Sequence, residues 1–397
     1  VATLCMLYLH ISMVRTQKSV AAQNSILDRN PFENEIRIAG PTRSEKTQHH
    51  VGPTYVTVVM PSVVNPKGRS KRLEAISKTW GPKSSAIFVV RDMEEFKQSI
   101  RTYSVSKGSP YPKPLVVPAS ISETEGVKRL QHVIRNVLDT EQFMEFAFFV
   151  NDHTYVIPEN LCSWLMRYDP AMNLYAGHAL HEKSSGKMFN SGASGYVLSK
   201  TTMQNIVNEW DAEPTNPNCQ TSGLSKWLDN NPGLVTAKCL FHALDCQPMD
   251  TRDEEGSQRF HAFGLARVVT GKVDGWYFNK HEQLDFGKGT EDVNDHLPNG
   301  SRCCSSETIS FHYVEAMETY ALFHLLSIGT EEMNRLSDTE LGTIVMNKWP
   351  ERKDLGYYAH PLPIQTDKFW KDTLAVIRKI SFSGGSKLKL PMCNAHS

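Results

Sequence analysis

Short apolar runs alternate with amphipathic stretches along the first half of the chain. The runs TYVTVVMPS, SAIFVVRD and FAFFV predict buried strands, because each is short, apolar and rich in β-branched or aromatic side chains. RLEAISKTW and ETEGVKRLQHVIRNVLDTEQF carry apolar residues at helical spacing and lie between those strands. Strand, helix, strand, helix, strand is the order of βαβ units. The pattern therefore predicts an α/β fold with a mostly parallel central sheet flanked by helices.

The third of these strand runs ends in the polar turn Asn151-Asp152-His153. A few residues later, Pro158 opens an amphipathic helix. Ligands of α/β proteins bind at the carboxyl ends of strands, so this turn is a candidate site. The structural alternative is that the Asn-Asp pair only caps a turn.

The alternating pattern continues in the second half of the chain. MNLYAGHAL predicts a further strand, and GASGYVLSKTTMQNIVNEW predicts a Gly-hinged turn that leads into a helix. GLVTAKCLFHAL predicts a helix and SETISFHYV predicts a strand. These elements extend one large domain and contain no internal repeat.

The ends of the chain differ from this pattern. Residues 1–14 are mostly apolar and fit the remnant of a signal-anchor, although a buried N-terminal helix explains them as well. Residues 15–50 are polar and predict a stem or linker, which leaves 51–330 for the main domain. Residues 331–382 predict a helical C-terminal extension, and 383–397 predict a disordered tail.

Charge and cysteine content narrow the function classes. Lys+Arg 43 balance Asp+Glu 43, which argues against nucleic acid as the main partner. Eight Cys without a CxxC pair argue against a zinc ribbon. The cysteines suit disulfides in an oxidising lumen, and a reduced cytosolic chain with buried Cys remains the alternative.

Several stretches together resemble glycosyltransferase family 31, and within it the core 1 β1,3-galactosyltransferases. They occur in the family's order over roughly residues 54–325, the span of one catalytic domain. The stretches are the helix end at Thr79-Trp80, HTYVIPENL, RYDP, SGASGYVLSK, AKCL, DTRDEEGSQRFHAF and CCSSETISFHYV.

The resemblance implies a GT-A nucleotide-sugar transferase fold with Mn²⁺ as cofactor. It implies UDP-galactose or another UDP-sugar as donor and a glycoprotein acceptor that carries N-acetylgalactosamine, as in O-glycosylation. It also implies inverting β1,3 transfer and a Golgi or other secretory-lumen location. The chain would then be a single-pass type II membrane protein held by its N-terminal anchor. A homodimer is left open.

The resemblance also implies a donor and metal site around the polar turn. Members of the family hold the metal ion with an Asp-x-Asp turn and a distant His. Here His153 stands in the turn and His312 in SFHY matches the distant His, so both are predicted metal ligands. Asp152 is expected to bind the donor, together with Thr79, Trp80 and Tyr155. A hydrogen-bonded turn histidine is the alternative for His153.

The acceptor site is implied by two further stretches. Ser191, Gly192 and Tyr196 lie in SGASGY, whose small residues would let a sugar approach the backbone. Trp276 and Tyr277 in DGWYFN match an aromatic cluster suited to stacking on a sugar, although single aromatics are more often core residues.

The catalytic base departs most from the family. An inverting transferase needs a carboxylate to take the acceptor proton. Counting back from Cys239 to the family's Glu-Asp position gives Pro232 and Gly233, which accept no proton. Asp229 is the nearest carboxylate and becomes the candidate base. Behind it stand Asp250 and Asp253, for which the alternative is an ion-paired turn.

The family's paired cysteines imply a disulfide between Cys219 and Cys239. Cys303 and Cys304 are expected to pair elsewhere, because adjacent cysteines rarely reach disulfide geometry with one another.

The resemblance and the departures from it lead to two candidate functions of different classes. The first is the transferase, and the alternative is a catalytically inactive transferase-like chaperone or binding partner of an active galactosyltransferase. The changed base and metal turn favour the alternative, whereas the retained motif frame favours the enzyme. A zinc cluster of His178, His181 and Cys is disfavoured, since its spacings fit no finger.

Overall fold

A six-stranded, mostly parallel sheet lies at the centre of the computed structural model. The structure describes residues 52–63, 66–100, 111–183, 186–212, 216–229, 231–271, 277, 281–283, 299–328, 330–337, 339–340 and 367–384.

The described segments contain strands and helices with the following bounds. The strands are β1 (Tyr55–Met60), β2 (Ala86–Val90), β3 (Lys113–Val116), β4 (Phe146–Asn151), β5 (Tyr155–Val156), β6 (Tyr175–Gly177), β7 (Ala179–Glu182), β8 (Lys187–Asn190), β9 (Tyr196–Ser199), β10 (Phe260–His261), β11 (His281–Gln283) and β12 (Ser310–Phe311). The helices are α1 (Arg69–Lys78), α2 (Met93–Ser99), α3 (Gly126–Thr140), α4 (Pro158–Leu165), α5 (Lys200–Asp211), α6 (Lys226–Asp229), α7 (Pro232–Leu244), α8 (Leu265–Thr270), α9 (Ala316–Leu326), α10 (Thr330–Arg335) and α11 (Asp367–Gly384). Short 3₁₀ turns occupy Pro82–Ser84 and Gly300–Arg302.

The central sheet has the strand order β3-β2-β1-β4-β9-β6. β1 pairs in parallel with both β2 and β4, β2 pairs in parallel with β3, and β9 runs antiparallel to its neighbours. Helices α1 and α3 connect parallel strands, as crossover helices do. The predicted α/β class with a mostly parallel sheet flanked by helices is confirmed, and it is compatible with a GT-A fold.

The sheet is buried on both faces. Along β4, Phe148 and Val150 belong to one hydrophobic core, while Ala147 and Phe149 belong to the other. Successive side chains of a strand point to opposite faces, so a strand covered on both sides needs an uninterrupted apolar run. This requirement explains why FAFFV contains no polar residue.

Two predicted elements differ from the structure. MNLYAGHAL is divided into β6 of the central sheet and β7 of a second sheet, and His178 lies between them with its Nδ1 3.0 Å from the Phe260 carbonyl oxygen. The predicted turn before α5 contains β9, a central strand between β4 and β6. β9 is only four residues long, and its apolar run merges with the helical pattern that follows.

Helix α11 packs against α8 and the Gly300–Arg302 turn, so the C-terminal extension contributes to the domain. The predicted anchor 1–14 and stem 15–50 lie outside the described residues. Within the part of the chain that the structure describes, no helix has both the length and the apolar character needed to cross a membrane.

Candidate functional site

The Asn151-Asp152-His153 turn lies at the carboxyl edge of the central sheet. β1 and β4 run parallel with Met60 opposite Asn151, so the loop after β1 borders the turn. Helices α1 and α3 follow β1 and β3, and therefore start at the same edge. The topology gathers the turn and two helix N-termini, as at ligand sites of α/β folds.

Asp152 is held by a buried ion pair. Its Oδ1 accepts a hydrogen bond from the Ser62 backbone N–H at 2.8 Å, and its Oδ2 accepts one from Arg72 Nε at 2.8 Å. The Arg72 and Asp152 side chains are 2% and 0% exposed. A charged pair of this kind is stable inside a protein only when its hydrogen bonds are satisfied.

The ion pair extends to two more residues. Arg72 Nη1 lies 3.5 Å from Glu315 Oε2 and also donates to the Lys67 carbonyl oxygen at 2.8 Å. Glu315 Oε1 in turn lies 3.2 Å from His153 Nδ1. The carboxyl edge of the sheet thus carries a connected network of Asp152, Arg72, Glu315 and His153.

The two predicted metal ligands lie near each other. The rings of His153 and His312 are 6.3 Å apart between centroids and nearly perpendicular. His312 Nδ1 lies 3.4 Å from Thr154 Oγ1. Burial, followed by the nearby His153, holds the pKa of His312 well below its usual value, so its imidazole is neutral at pH 7.

These residues do not fit a Mn²⁺ ion. The described residues contain no group of three His, Cys, Asp or Glu side chains that could hold a metal. Both carboxylate oxygens of Asp152 already accept hydrogen bonds, one of them from a guanidinium cation. A divalent ion about 4 Å from that cation would be repelled by roughly 8 kcal/mol at an effective dielectric constant of about 20. Mn²⁺ binding stays a prediction that this geometry does not support.

Thr79 and Trp80 lie apart from the turn, and Tyr155, two residues after it, points into the core. Thr79 and Trp80 follow the last turn of α1, about 15 Å along the helix from the carboxyl edge, because ten residues rise about 1.5 Å each. Trp80 is fully buried, and Thr79 Oγ1 donates to the Ala75 carbonyl oxygen. Tyr155 is a buried core residue, and burial raises the pKa of its phenol well above the usual value.

The predicted acceptor loop does border the turn. Thr154 Oγ1 donates to the Ala193 carbonyl oxygen at 2.9 Å, which ties the loop to the residue after His153. The Ser191 backbone N–H donates to the His178 carbonyl oxygen at 2.8 Å. A Cβ added to Gly192 would meet no atom within 4 Å among the described residues, so this position opens outward.

The predicted aromatic acceptor residues are core residues where the structure describes them. Tyr196 is buried and stacks on Phe149 with ring centroids 5.4 Å apart. Tyr277 is buried, and its hydroxyl lies 2.5 Å from His178 Nε2. Trp276 lies outside the described residues.

The base position is occupied by the start of α7. A Cβ added to Gly233 would lie 3.9 Å from the Asn190 carbonyl oxygen, at the end of β8. The candidate base Asp229 accepts a hydrogen bond through Oδ1 from the Val127 backbone N–H at 3.2 Å. Asp229 therefore caps the first turn of α3 at the same sheet edge as Asp152.

The next carboxylates in line are engaged in turns. Asp250 forms an ion pair with Arg252, with Arg252 Nε 3.0 Å from Oδ1. Asp253 Oδ1 accepts hydrogen bonds from the backbone N–H groups of Ser257 and Glu255. These contacts match the ion-paired turn that was the structural alternative.

One disulfide prediction is confirmed and the other is wrong. Cys219 and Cys239 are bonded, which ties the segment before α6 to the middle of α7. Cys303 and Cys304 are bonded to each other, with Cα atoms 3.7 Å apart, so the expectation of separate partners fails. The pair is buried directly after the Gly300–Arg302 turn.

Arg72 and Glu315 are site residues that motif reasoning missed. Arg72 lies about one helical turn after Arg69 in RSKR, at the start of the first helix after β1, and that spacing indicates two cations on one helix face. Glu315 follows His312 by three residues, but no local pattern links it to Arg72. Contacts across more than two hundred residues bring them together.

The chain is 26% identical over 189 residues to glycoprotein-N-acetylgalactosamine 3-beta-galactosyltransferase 1 of Xenopus laevis. The similarity covers 47% of this chain and 47% of that protein, so the chain matches about half the length of this curated relative. No protein-family model matches the chain. The distant similarity supports a galactosyltransferase-like relationship and, in general terms, a glycosyltransferase role.

Proposed function

We propose that the chain is an inverting glycosyltransferase that moves galactose or a related hexose from a UDP-sugar to a protein-linked N-acetylgalactosamine in β1,3 linkage. The similarity to the Xenopus laevis galactosyltransferase carries the proposal. The polar turn at the carboxyl edge of the sheet adds support, because nucleotide ligands of α/β folds bind there.

The reaction places separate demands on the two sides of the site. The acceptor hydroxyl oxygen forms a bond to the anomeric carbon while the bond from that carbon to the diphosphate oxygen breaks. The electron pair of that bond leaves with UDP, and the hydroxyl proton passes to a base. Asp229 is the proposed base, since it is a carboxylate at the same sheet edge as the turn. The leaving diphosphate requires positive charge near the turn.

A second function is favoured by specific contacts. Asp152 is neutralised by Arg72, and Gly233 stands where the family has its base. A chain with this turn could serve as a binding partner of an active galactosyltransferase without transferring sugar itself.

A UDP-release assay distinguishes the two functions. The purified chain is incubated with a panel of UDP-sugars and a GalNAc-peptide acceptor, with Mn²⁺ or with EDTA. Release of UDP that increases with the acceptor, together with a product one hexose heavier by mass spectrometry, supports the transferase. No release from any donor, together with co-purification of an active galactosyltransferase, supports the binding partner.

The location is proposed on the same basis. The apolar segment 1–14 would hold the chain in the Golgi or another secretory membrane, with residues 15–50 as the stem. A protease-protection assay on microsomes checks this orientation, and digestion of the domain in intact vesicles would contradict it.

A further inference from the structure

The positive charge beside the polar turn comes from the protein itself. Arg72 points from the first turn of α1 to Asp152, with a 2.8 Å bond to its carboxylate. The same guanidinium lies 3.5 Å from Glu315, whose side chain is 12% exposed. Asp152 is therefore the close and buried partner, and Glu315 is the distant and more accessible one.

We propose that Arg72 takes the part of the divalent cation in this chain, so that the diphosphate of a UDP-sugar binds at the turn without a metal ion. The incoming phosphate displaces Glu315 from the guanidinium, while Asp152 continues to hold Arg72 in place. This inference rests on the proposed function, because it assumes a nucleotide-sugar donor.

The surroundings of Arg72 suit a phosphate. The planar guanidinium offers paired N–H donors that match phosphate oxygens. α1 has no acidic residue in its own first turn, and no side chain caps its N-terminus. Arg69, at the first position of α1, is 6% exposed and is paired through Nη1 with Glu95 at 3.1 Å and Glu123 at 2.8 Å, which leaves Arg72 as the guanidinium that faces the turn.

Glu315 makes the proposal specific. A carboxylate that competes with phosphate for one guanidinium weakens phosphate binding, and its removal should strengthen that binding. Loss of Arg72 should have the opposite effect. Opposite effects of two neighbouring substitutions are not expected from a purely structural ion pair, for which both changes would weaken the protein.

Isothermal titration of UDP into the purified chain tests the proposal. We expect wild-type affinity to be the same in EDTA and in Mn²⁺. In EDTA, Arg72→Met should bind UDP about 10- to 100-fold more weakly, as expected for loss of a charged hydrogen bond. Glu315→Gln should bind it about 3- to 10-fold more tightly. Arg135→Met removes an equal charge from an exposed ion pair with Asp211 and should bind as wild type does.

The outcomes separate this inference from the proposed function. UDP binding that requires Mn²⁺ overturns the inference and leaves the transferase proposal standing. Metal-free binding that is unchanged in Arg72→Met overturns the inference as well. If UDP binds under neither condition, both proposals fall. Should Arg72→Met not fold, Glu315→Gln and the wild-type EDTA titration decide the matter, and a weaker or equal Glu315→Gln affinity counts against it.

Discussion

Two carboxylates at one sheet edge, Asp152 and Asp229, have very different surroundings. Asp152 is fully buried and bonded to the cation Arg72. Asp229 is only partly buried and accepts a hydrogen bond from the Val127 backbone N–H at the start of α3. The first carboxylate is fixed by charge, and the second is placed by helix capping.

This difference indicates how the two sides of the site can change. A buried ion pair is strongly destabilised by a single substitution, because removal of one partner leaves an uncompensated charge. A capping carboxylate can be replaced by Asn or Ser at little cost in stability. The donor-side turn is therefore constrained by folding, whereas the acceptor side can gain or lose a base without unfolding the domain.

The largest effect is expected for Asp152→Asn. It leaves the Arg72 guanidinium buried without its carboxylate, which should cost about 3–5 kcal/mol of unfolding free energy. Urea denaturation followed by circular dichroism measures this loss. Asp211→Asn breaks the exposed pair with Arg135 and should cost at most about 1 kcal/mol. Equal losses in the two variants would show that burial of the Asp152 pair has no energetic consequence.

Asp229→Asn sharpens the comparison on the acceptor side. Because Asn also caps helices, the stability should change little. If Asp229 is the base, turnover in the UDP-release assay should fall about 100- to 10,000-fold with unchanged UDP affinity. Asp211→Asn serves as the control, since that carboxylate lies in an exposed ion pair with Arg135. Wild-type turnover in Asp229→Asn would leave Asp229 as a helix cap and nothing more.

Loss of the Cys219–Cys239 disulfide tests how much this covalent link stabilises the acceptor side. The bond closes a loop with a sequence separation of 20. The Cys219→Ser/Cys239→Ser variant should lose about 3 kcal/mol in urea unfolding. Cys246→Ala, a change at a buried free thiol, controls for the removal of sulfur from the core. An unchanged midpoint in the double variant would contradict this expectation.

A pH-dependent effect is expected for Glu318, a buried carboxyl close to the network. Burial, with a smaller contribution from Glu315, raises the pKa of Glu318 from 4.5 to about 8. The folded state thus favours the protonated form, so stability is full below about pH 4.5 and falls as the pH rises towards 8.

The fall should approach about 1.4 kcal/mol per pH unit over that range. Glu318→Gln should remove this dependence of the unfolding free energy on pH. Thermal unfolding between about pH 5 and about pH 8 at constant ionic strength measures it. Glu94→Gln, at an exposed site, should retain it. A slope unchanged in Glu318→Gln would assign it to other groups.

Local sequence patterns predicted the strands, turns and helices that depend on residues close together in the chain. The β4 run, the turn after it and helix α7 follow from apolar spacing and from Pro at a helix start. The Arg72–Asp152 pair joins residues 80 positions apart, and the Glu315 contact depends on how α9 docks beside α1. The sequence motifs predicted His153 and His312 as metal ligands, which stays a prediction, but no motif indicated that Arg72 from α1 pairs with Asp152 of the same turn.

Gly195, packed in the core, determines how far the predicted acceptor loop lies from the polar turn. It has φ +86, and a Cβ there would lie 2.6 Å from the Phe148 ring and 2.8 Å from Val150. Two residues earlier, Ala193 is bonded to Thr154 beside the turn. The separation of loop and turn is therefore fixed by ring and methyl contacts of β4. Redesign for a bulkier sugar would have to begin with core side chains that touch no substrate.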